Sequence, residues 1–172
     1  MSQQIQVLSP EQAQQIAAGE VIERPANIVK ELLENSLDAQ AQTIIIHIEK
    51  AGKKLIRITD DGCGMSSEDA QLCFSRHATS KLRTVDQLMD LHTFGFRGEA
   101  LASIAAVSKT TLTTKETASS EPLGTRVIYT HGTHASTESV ACSAGTTIEI
   151  ADLFGTLPVR KTFLKQDETE WN

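Results

Sequence analysis

The chain has 172 residues, of which 40% are hydrophobic, and its 16 basic and 22 acidic side chains give a net charge of −6. This length fits one domain that buries roughly 70% of its unfolded surface, and the ordinary hydrophobic content argues against a disordered chain. The negative charge disfavours a stand-alone binder of DNA phosphates. We therefore expect one folded domain that binds DNA weakly if at all.

The cysteines and the N-terminal residues indicate the compartment. Cys63, Cys73 and Cys142 are odd in number and form no CxxC pair, which favours reduced thiols over a disulfide scaffold or a zinc site. The chain starts without a basic and apolar signal sequence, and no apolar stretch is long enough to span a bilayer. We expect a soluble, cytosolic protein with no membrane contact.

Two helices are predicted in the first part of the chain. Ser9–Gln12 has the pattern of a capping box with proline at the first helical position, which predicts a helix to about Ala18, ended by Gly19. Pro25 begins a second helix that runs to about Ala39. Its apolar residues recur at helical spacing and predict a buried stripe of Ile28, Val29, Leu32, Leu33 and Leu37.

The remaining pattern alternates runs of strands and helices. Thr43–Glu49 and Leu55–Asp60 predict a hairpin, and three later segments predict further strands: Thr110–Thr114, Arg126–Tyr129 and Thr147–Ile150. Further helical turns are predicted after Ser67 and over Asp86–Leu91, Glu99–Val107 and Val159–Lys165, with His131–His134 as a hairpin loop rather than a metal site. The fold class is therefore α+β, a two-layer sandwich of a mixed or antiparallel sheet with helices on one face.

The polar face of the second helix is the first candidate for chemistry. Glu31, Asn35 and Asp38 lie at positions i, i+4 and i+7, so they project from one side of the helix. An amide oxygen is a hard neutral ligand for Mg²⁺, and a carboxylate can accept a proton from an attacking water. Taken alone, a polar stripe of this kind is most often a solvated helix face.

A glycine-containing loop follows the second predicted strand. Asp60 and Asp61 precede Gly62 and Gly64, and two glycines allow a ligand to approach the backbone closely while a carboxylate accepts a hydrogen bond from it. An ordinary Asp-Gly turn would show the same pattern. The segment matches neither a dinucleotide-binding fingerprint nor a phosphate-binding P-loop.

Phe94–Leu101 is a second glycine-containing turn, and it leads into a predicted helix. Free backbone N–H groups and the positive end of the helix dipole favour an anion there, with Arg97 nearby. One helix terminus stabilises an anion by only about 0.3–1 kcal/mol, so a triphosphate needs further donors and a metal. A plain turn is again the simpler interpretation.

The order of these segments resembles the GHKL superfamily of gyrase, heat-shock chaperone, histidine kinase and MutL proteins. The segments concerned are Glu31–Ala39, Asp60–Gly64, Gly95–Leu101 and Gly145–Thr147. Within that superfamily, three segments resemble MutL mismatch-repair proteins specifically, namely Gln15–Pro25, Arg76–Lys81 and Phe94–Ile104. The resemblance covers nearly the whole chain and implies the ATP-binding, Bergerat-type fold.

The resemblance also implies roles for individual residues. Glu31 would be the general base, Asn35 would coordinate Mg²⁺ with Asp38 in support, and Asp60 would bind the adenine amino group with help from Thr146 through a shared water. Gly64 would let the base approach, and Lys81 would lie near the phosphates. The lid around the triphosphate would be formed by backbone groups of Gly95, Phe96, Arg97, Gly98, Glu99, Ala100 and Leu101.

The sequence departs from MutL relatives in places. Asp61 occupies a position where they usually carry asparagine, and Leu153–Lys161 resembles a eukaryotic branch, whereas Ile16–Pro25 resembles bacterial members. The location would be cytoplasmic for a bacterial source and nuclear for a eukaryotic one. Residues 1–172 would be the N-terminal domain, without the transducer and C-terminal dimerisation domains, so we expect the isolated domain to be weakly active or inactive.

The function implied by the resemblance is a Mg²⁺-dependent ATPase of DNA mismatch repair, with ATP closing the lid and driving homodimerisation of N-terminal domains. Its partners would be a MutS-type mismatch-recognition protein and downstream repair enzymes. An alternative is a nucleotide-gated binding module that recruits repair partners and hydrolyses little ATP. A kinase or topoisomerase of the same superfamily conflicts with the MutL-like segments.

Overall fold

A computed structural model of the chain describes residues 7–75, 78 and 99–164. Within these ranges the helices are α1 (Pro10–Val21), α2 (Pro25–Asp38), α3 (Ser67–Leu72), α4 (Ala100–Ala106) and α5 (Pro158–Phe163). The strands in the same ranges are β1 (Ile44–Glu49), β2 (Leu55–Asp60), β3 (Lys109–Lys115), β4 (Gly124–Thr130), β5 (Thr133–Val140) and β6 (Gly145–Ala151).

The strands form a single sheet in the order β1-β2-β6-β3-β4-β5. Every neighbouring pair is antiparallel. A short 3-10 turn at Lys50–Gly52 connects β1 to β2, as the predicted hairpin required. The α+β prediction is confirmed, and of the two sheet types left open the structure has the antiparallel one.

The core lies on one face of this sheet. Alternate residues of each central strand point to that face because strand side chains alternate, and they include Ile56 and Ile58 of β2 and Leu112 of β3. Helices cover the same residues, with Ile28 of α2 and Ile104 of α4 fully buried. Each such side chain stabilises the fold by about 1.5–3 kcal/mol through burial.

The buried stripe of α2 differs from the prediction at its C-terminal end. Ile28 and Leu32 are buried and Val29 and Leu33 pack against the core, but Leu37 is 50% exposed. The next residue on the buried ridge is instead Ser36, four positions after Leu32. The prediction for Leu37 was wrong because the helix turns a small polar residue, rather than the leucine, towards the sheet at this point.

The end of α1 also differs from the prediction. The capping box at Ser9 and Gln12 is confirmed, but the helix continues through Gly19 to Val21. Glycine costs only about 1 kcal/mol inside a helix, and α1 packs against α4 along this stretch. The side chain of Arg160 lies over Gly19, where a Cβ would be 3.3 Å from its Nε, so tertiary packing overrides the stop signal.

Strand β5 was not predicted. Thr133–Val140 pairs with β4 at the edge of the sheet, and the hairpin turn expected at His131–His134 is shorter, with the strand resuming at Thr133. Most side chains of β5 are exposed, so this edge strand lacks the apolar alternation that marks a half-buried strand.

The three cysteines are free thiols. Cys63 is exposed, whereas burial raises the pKa of the Cys73 thiol to about 12. Within the described ranges, no helix is both long and apolar enough to cross a bilayer. The helix predicted over Asp86–Leu91 lies outside those ranges.

Candidate functional site

Three neighbouring strands in the interior of the sheet bring polar side chains together at one end of the strands. Because β2, β6 and β3 are antiparallel neighbours, the end of β2, the start of β6 and the end of β3 lie side by side. Asp60 pairs with Thr146, and Thr146 pairs with Thr114, so the three residues form a row on the helix-covered face. Opposite residues in such pairs have Cβ atoms about 4.5–5.5 Å apart. We call these three residues the inner row.

Asp60 is held at both carboxylate oxygens. Its Oδ1 accepts a hydrogen bond from the Gly62 backbone N–H at 3.0 Å, and its Oδ2 lies 2.9 Å from the hydroxyl of Ser36. The same hydroxyl lies 3.1 Å from the Leu32 carbonyl, so its one proton is shared between two acceptors. Asp60 is buried, with 9% of its surface exposed, and these two hydrogen bonds fix the orientation of its carboxylate.

Thr146 and Thr114 are joined by their hydroxyls, whose oxygens are 3.0 Å apart. The Thr114 hydroxyl also donates to the Gly145 carbonyl at 2.9 Å and accepts from the Met65 backbone N–H at 3.0 Å. Thr114 is almost completely buried. A buried hydroxyl without partners costs about 1–3 kcal/mol, so this network removes the penalty of placing polar groups beside the core.

The glycine-containing loop after β2 is fastened on both sides. Cys63 donates its backbone N–H to the carbonyl of Ala39 at the end of α2, and Thr117 donates its N–H to the carbonyl of Cys63, both at 2.9 Å. The loop therefore connects α2 to the end of β3.

Two glycines with positive φ allow the chain to pack closely here. Gly64 has φ +68°, and a Cβ on it would collide with the backbone carbonyl of Lys115. Gly145 has φ +106°, and its Cβ would collide with the carbonyl of Asp60. Both positions therefore require glycine for the backbone itself. The sequence interpretation gave Gly64 only a role in the approach of the base. It did not include this structural requirement for glycine.

The adjacent carboxylates Asp60 and Asp61 point to different places, as strand alternation requires. Asp61 Oδ1 accepts the backbone N–H groups of Gln42 at 2.7 Å and Thr43 at 2.8 Å. These bonds, with that from Thr43 first, hold the pKa of Asp61 below its usual value. Asp61 therefore fixes the segment that leads into β1 and leaves Asp60 alone to face the site.

Helix α2 brings its polar residues to the same region. Ser36 contacts Asp60 directly, so Asn35, its neighbour in the chain, lies beside the inner row, and Glu31 lies one helical turn before Asn35. Glu31, Asn35 and Asp38 are all half-buried. The helix thus carries an amide next in sequence to the residue that contacts Asp60, and a carboxylate one turn before that amide.

Of the other predicted site residues, the structure describes only those at the beginning of α4 in this part of the chain. Glu99, Ala100 and Leu101 are half-buried at the beginning of α4, and Leu101 packs against the core. Helix α4 contacts α1, β3 and β4, and its convergence with Asp60 on one ligand stays a prediction. Lys81 and Gly95–Gly98, including Phe96 and Arg97, lie outside the described residues.

Sequence reasoning missed two residues of the site. Ser36 sits inside the motif that supplied Glu31, Asn35 and Asp38, and its position four residues after Leu32 was the available signal. Thr114 gave no local signal, because one threonine in a threonine-rich strand is unremarkable until the pairing with Thr146 is known.

Buried polar groups also occur at the opposite end of the strands, which provides a comparison. Ser108 donates to the Ile104 carbonyl at 2.7 Å and its hydroxyl oxygen lies 2.9 Å from that of Thr110. This pair contains no charged group and is fully buried. Buried hydroxyls alone are therefore ordinary in this fold, and the carboxylate of Asp60 is what distinguishes the inner row.

Residues 23–151 match a family model described as histidine kinase-, DNA gyrase B- and HSP90-like ATPase. The chain belongs to this ATPase family. The matched range includes α2, the loop after β2 and all of β6, and so contains the whole inner row with Glu31 and Asn35.

Individual relatives confirm the likeness to MutL proteins. The chain is 53% identical over 170 residues to the DNA mismatch repair protein MutL of Syntrophotalea carbinolica, covering 99% of this chain and 27% of that protein. The solved MutL ATPase domain of Aquifex aeolicus, complexed with ADP, superposes with a TM-score of 0.64 at 35% identity, covering 87% of this chain and 51% of that one. A solved N-terminal domain of a DNA repair protein gives a TM-score of 0.74 at 31% identity, covering 92% and 45%. The chain spans about a quarter of the length of the MutL relative.

Asp61 gives a test of the loop geometry. At neutral pH, Asp61→Ala should lower the melting temperature, since the N–H groups of Gln42 and Thr43 lose their acceptor. Asp61→Asn should retain most of the wild-type stability, because its carboxamide oxygen can still accept from these groups. Because the folded-state pKa is lowered, the extra stabilisation by the charge is present above the unfolded value of about 3.9 and is lost as pH falls through the folded value.

The measurement is thermal unfolding of the wild type and both variants across a pH series. The melting-temperature advantage of the wild type over Asp61→Asn should shrink in the acid range. An advantage that grows towards low pH would contradict the assigned hydrogen bonds.

Proposed function

We propose that this chain is the ATP-binding domain of a MutL-type DNA mismatch-repair protein, and that it binds and hydrolyses Mg²⁺-ATP. The observation on which the proposal rests is the buried carboxylate of Asp60, fixed by Ser36 and Gly62 beside a helix that also carries Glu31 and Asn35. The likeness to a MutL ATPase domain complexed with ADP supports it.

In this proposal the inner row binds the nucleotide base. An ionised carboxylate only accepts hydrogen bonds, so Asp60 suits the exocyclic amino group of adenine, which donates them. Thr146 lies opposite Asp60 in the register and has the same exposed fraction, 9%. It would assist through a shared water, and Gly64 would let the base approach the loop.

The phosphates would extend from the base along α2 towards Asn35. Within the described ranges no group of three or more His, Cys, Asp or Glu side chains is assembled to hold a metal. A magnesium ion bound at Asn35, with Asp38 in support, would therefore take most of its ligands from phosphate and water, as this ion commonly does. Bound there, it would neutralise phosphate charge during the reaction.

Hydrolysis requires a group that positions and deprotonates water. Glu31 is half-buried one helical turn before Asn35, on the polar side of α2, so its carboxylate would orient a water against the terminal phosphate and accept its proton. Lys81 and the backbone of residues 95–101 would supply the remaining donors around the triphosphate.

Nucleotide binding would act as a switch in the whole protein. ATP would order the lid and favour dimerisation of N-terminal domains, which is possible because the ligand binds one state more tightly than the other. Partners would be a MutS-type mismatch-recognition protein and downstream repair enzymes. DNA contact by this domain would be weak, because the net charge is −6 and Lys109 and Lys115 lie at opposite ends of β3.

Glu31→Ala tests the hydrolysis step. Loss of a general base should lower turnover by about 10²–10⁴-fold while nucleotide affinity stays close to that of the wild type. Steady-state ATP hydrolysis and equilibrium binding of a non-hydrolysable analogue measure the two effects. Glu34→Ala is the matched control, because Glu34 lies on the same helix, is half-buried like Glu31, and forms an ion pair at 3.6 Å with Lys30, whose side chain is exposed.

An unchanged turnover in Glu31→Ala would remove Glu31 from the mechanism. Tight binding with negligible turnover in the wild type would favour instead a nucleotide-gated module that recruits repair partners.

Asn35→Ala tests the metal site. The wild type should bind a non-hydrolysable ATP analogue more tightly with Mg²⁺ than without it, and the substitution should abolish that difference because the amide oxygen is lost. Asn35→Asp, which keeps an oxygen ligand, should retain magnesium dependence. Isothermal titration with and without the ion gives the answer, and equal affinities in the wild type would argue against a magnesium-bound nucleotide.

A further inference from the structure

Thr117, in the loop between β3 and β4, holds the glycine-containing loop after β2 by two hydrogen bonds. Its hydroxyl donates to the Gly62 carbonyl and its backbone N–H donates to the Cys63 carbonyl, both at 2.9 Å. These two carbonyls belong to consecutive peptide units, 62–63 and 63–64. Because each peptide unit is planar, one residue of the β3–β4 loop fixes the orientation of two successive planes in the glycine-containing loop.

The peptide unit between Gly62 and Cys63 is held at both ends. Its carbonyl accepts from the Thr117 hydroxyl, and its N–H donates to the carbonyl of Ala39 at the end of α2, at 2.9 Å. This unit therefore bridges α2 and the β3–β4 loop. Gly62 is buried, and a buried carbonyl that loses its hydrogen-bond partner is destabilised. Loss of the Thr117 hydroxyl thus favours rotation of the peptide unit towards another partner.

The glycines make such a rotation easy. Turning a peptide unit changes ψ of the residue before it and φ of the residue after it. Gly62 precedes the first unit, and Gly64, with φ +68°, follows the second. Glycine adopts either sign of φ at little steric cost, so the torsional preferences of the backbone do not hold these units. Their orientation in the free protein depends on hydrogen bonds, and Thr117 supplies those to both carbonyls.

The β3–β4 loop gives Thr117 a fixed position. The Ser119 N–H donates to the Glu116 carbonyl at 3.1 Å, and the Ser119 hydroxyl accepts from the Glu121 N–H at 3.1 Å. Both bonds stay within the loop and hold the turn that follows Thr117. Thr117 itself is an exposed residue, so a change of its side chain leaves the core intact.

We propose that Thr117 is a positioning residue for nucleotide binding, whose hydroxyl holds the 62–63 peptide unit in the orientation that the bound nucleotide requires. The inference rests on the proposed function, in which the base approaches the loop at Gly64. Thr117 does not touch the nucleotide and acts through Gly62 and Cys63. Without the hydroxyl, part of the free protein adopts loop orientations that do not bind. The apparent affinity then falls in proportion to the fraction that remains competent.

The experiment measures the dissociation constant of ADP by isothermal titration for the full chain. Thr117→Val retains the shape and the backbone N–H but removes the hydroxyl donor. Its dissociation constant should rise by about two- to tenfold, the range expected for one hydrogen bond. Its melting temperature should stay close to that of the wild type, since Thr117 is exposed and the loop can turn locally.

Two further variants separate the hydroxyl from the rest of the loop. Thr117→Ser keeps the donor and should restore the wild-type dissociation constant. Ser119→Ala is the matched control, because it removes a hydroxyl that bonds only within the β3–β4 loop and leaves both bonds from Thr117 in place. It should bind ADP as the wild type does.

Amide hydrogen exchange distinguishes positioning from a general loss of stability. In the free protein the Cys63 N–H, which is bonded to Ala39, should exchange faster in Thr117→Val than in the wild type. The amides in the interior of β6 should exchange equally in both proteins, because only the loop opens. Saturating ADP should reduce the difference at Cys63, since the ligand selects the competent orientation.

The outcomes are distinguishable. A folded Thr117→Val protein with the wild-type dissociation constant overturns the inference and leaves the proposed function intact. Equal weakening in Thr117→Ser or in Ser119→Ala does the same, because the effect would then not belong to the hydroxyl. Should Thr117→Val fail to fold, Thr117→Ala removes the same donor, and a wild-type constant there overturns the inference. A wild type that binds no ADP overturns the proposed function and the inference together.

Discussion

The register between β2, β6 and β3 is the constraint on which the site depends, because it decides which residues share a row. Asp60, Thr146 and Thr114 are aligned on the helix-covered face, and the preceding or following residues Thr59, Thr147 and Thr113 are aligned on the other face. We call this second set the outer row. A slip of one residue would exchange the faces and place an uncharged threonine, rather than Asp60, beneath α2. The apolar residues Ile56, Ile58, Ile148 and Leu112 belong to the same alternation, so the packing of the core and the position of the carboxylate are fixed together.

Helix α2 converts this row into a site. Its buried ridge of Ile28 and Leu32 ends in Ser36, whose hydroxyl contacts Asp60. The residues beside this ridge, Asn35 and Glu31, are thereby set at fixed distances along the helix from the carboxylate. Packing of two leucine-sized side chains and one hydrogen bond therefore position, relative to each other, the groups that we propose for base recognition, metal binding and proton transfer. Such preorganisation favours catalysis because the free energy needed to order the groups is not added to the activation barrier.

Much of the fold was predictable because the sequence signals were local. The capping box at Ser9 and the isoleucine-rich hairpin of β1 and β2 gave the correct elements. The failures were at positions decided by distant contacts: Gly19 remains helical beneath Arg160, Leu37 is turned away from the sheet, and β5 is a polar edge strand. The same distinction applies to the site. Asp60 and Asn35 were predicted from motifs that resemble a known family, and their roles stay predictions, whereas Ser36 and Thr114 make their contacts with partners 24 and 32 residues away, which no local pattern reveals. The predicted contributions of Lys81 and Gly95–Gly98 stay predictions.

The central claim is that a nucleotide base binds against the inner row, and the two threonine rows allow a direct measurement. Threonine methyl groups labelled for NMR can be followed in the intact protein while ADP is added. The account predicts that the methyl resonances of Thr146 and Thr114 shift as the aromatic base approaches, whereas those of Thr59, Thr147 and Thr113 on the opposite face stay nearly unchanged. Larger shifts in the outer row, or saturating ADP binding that moves neither row, would contradict it.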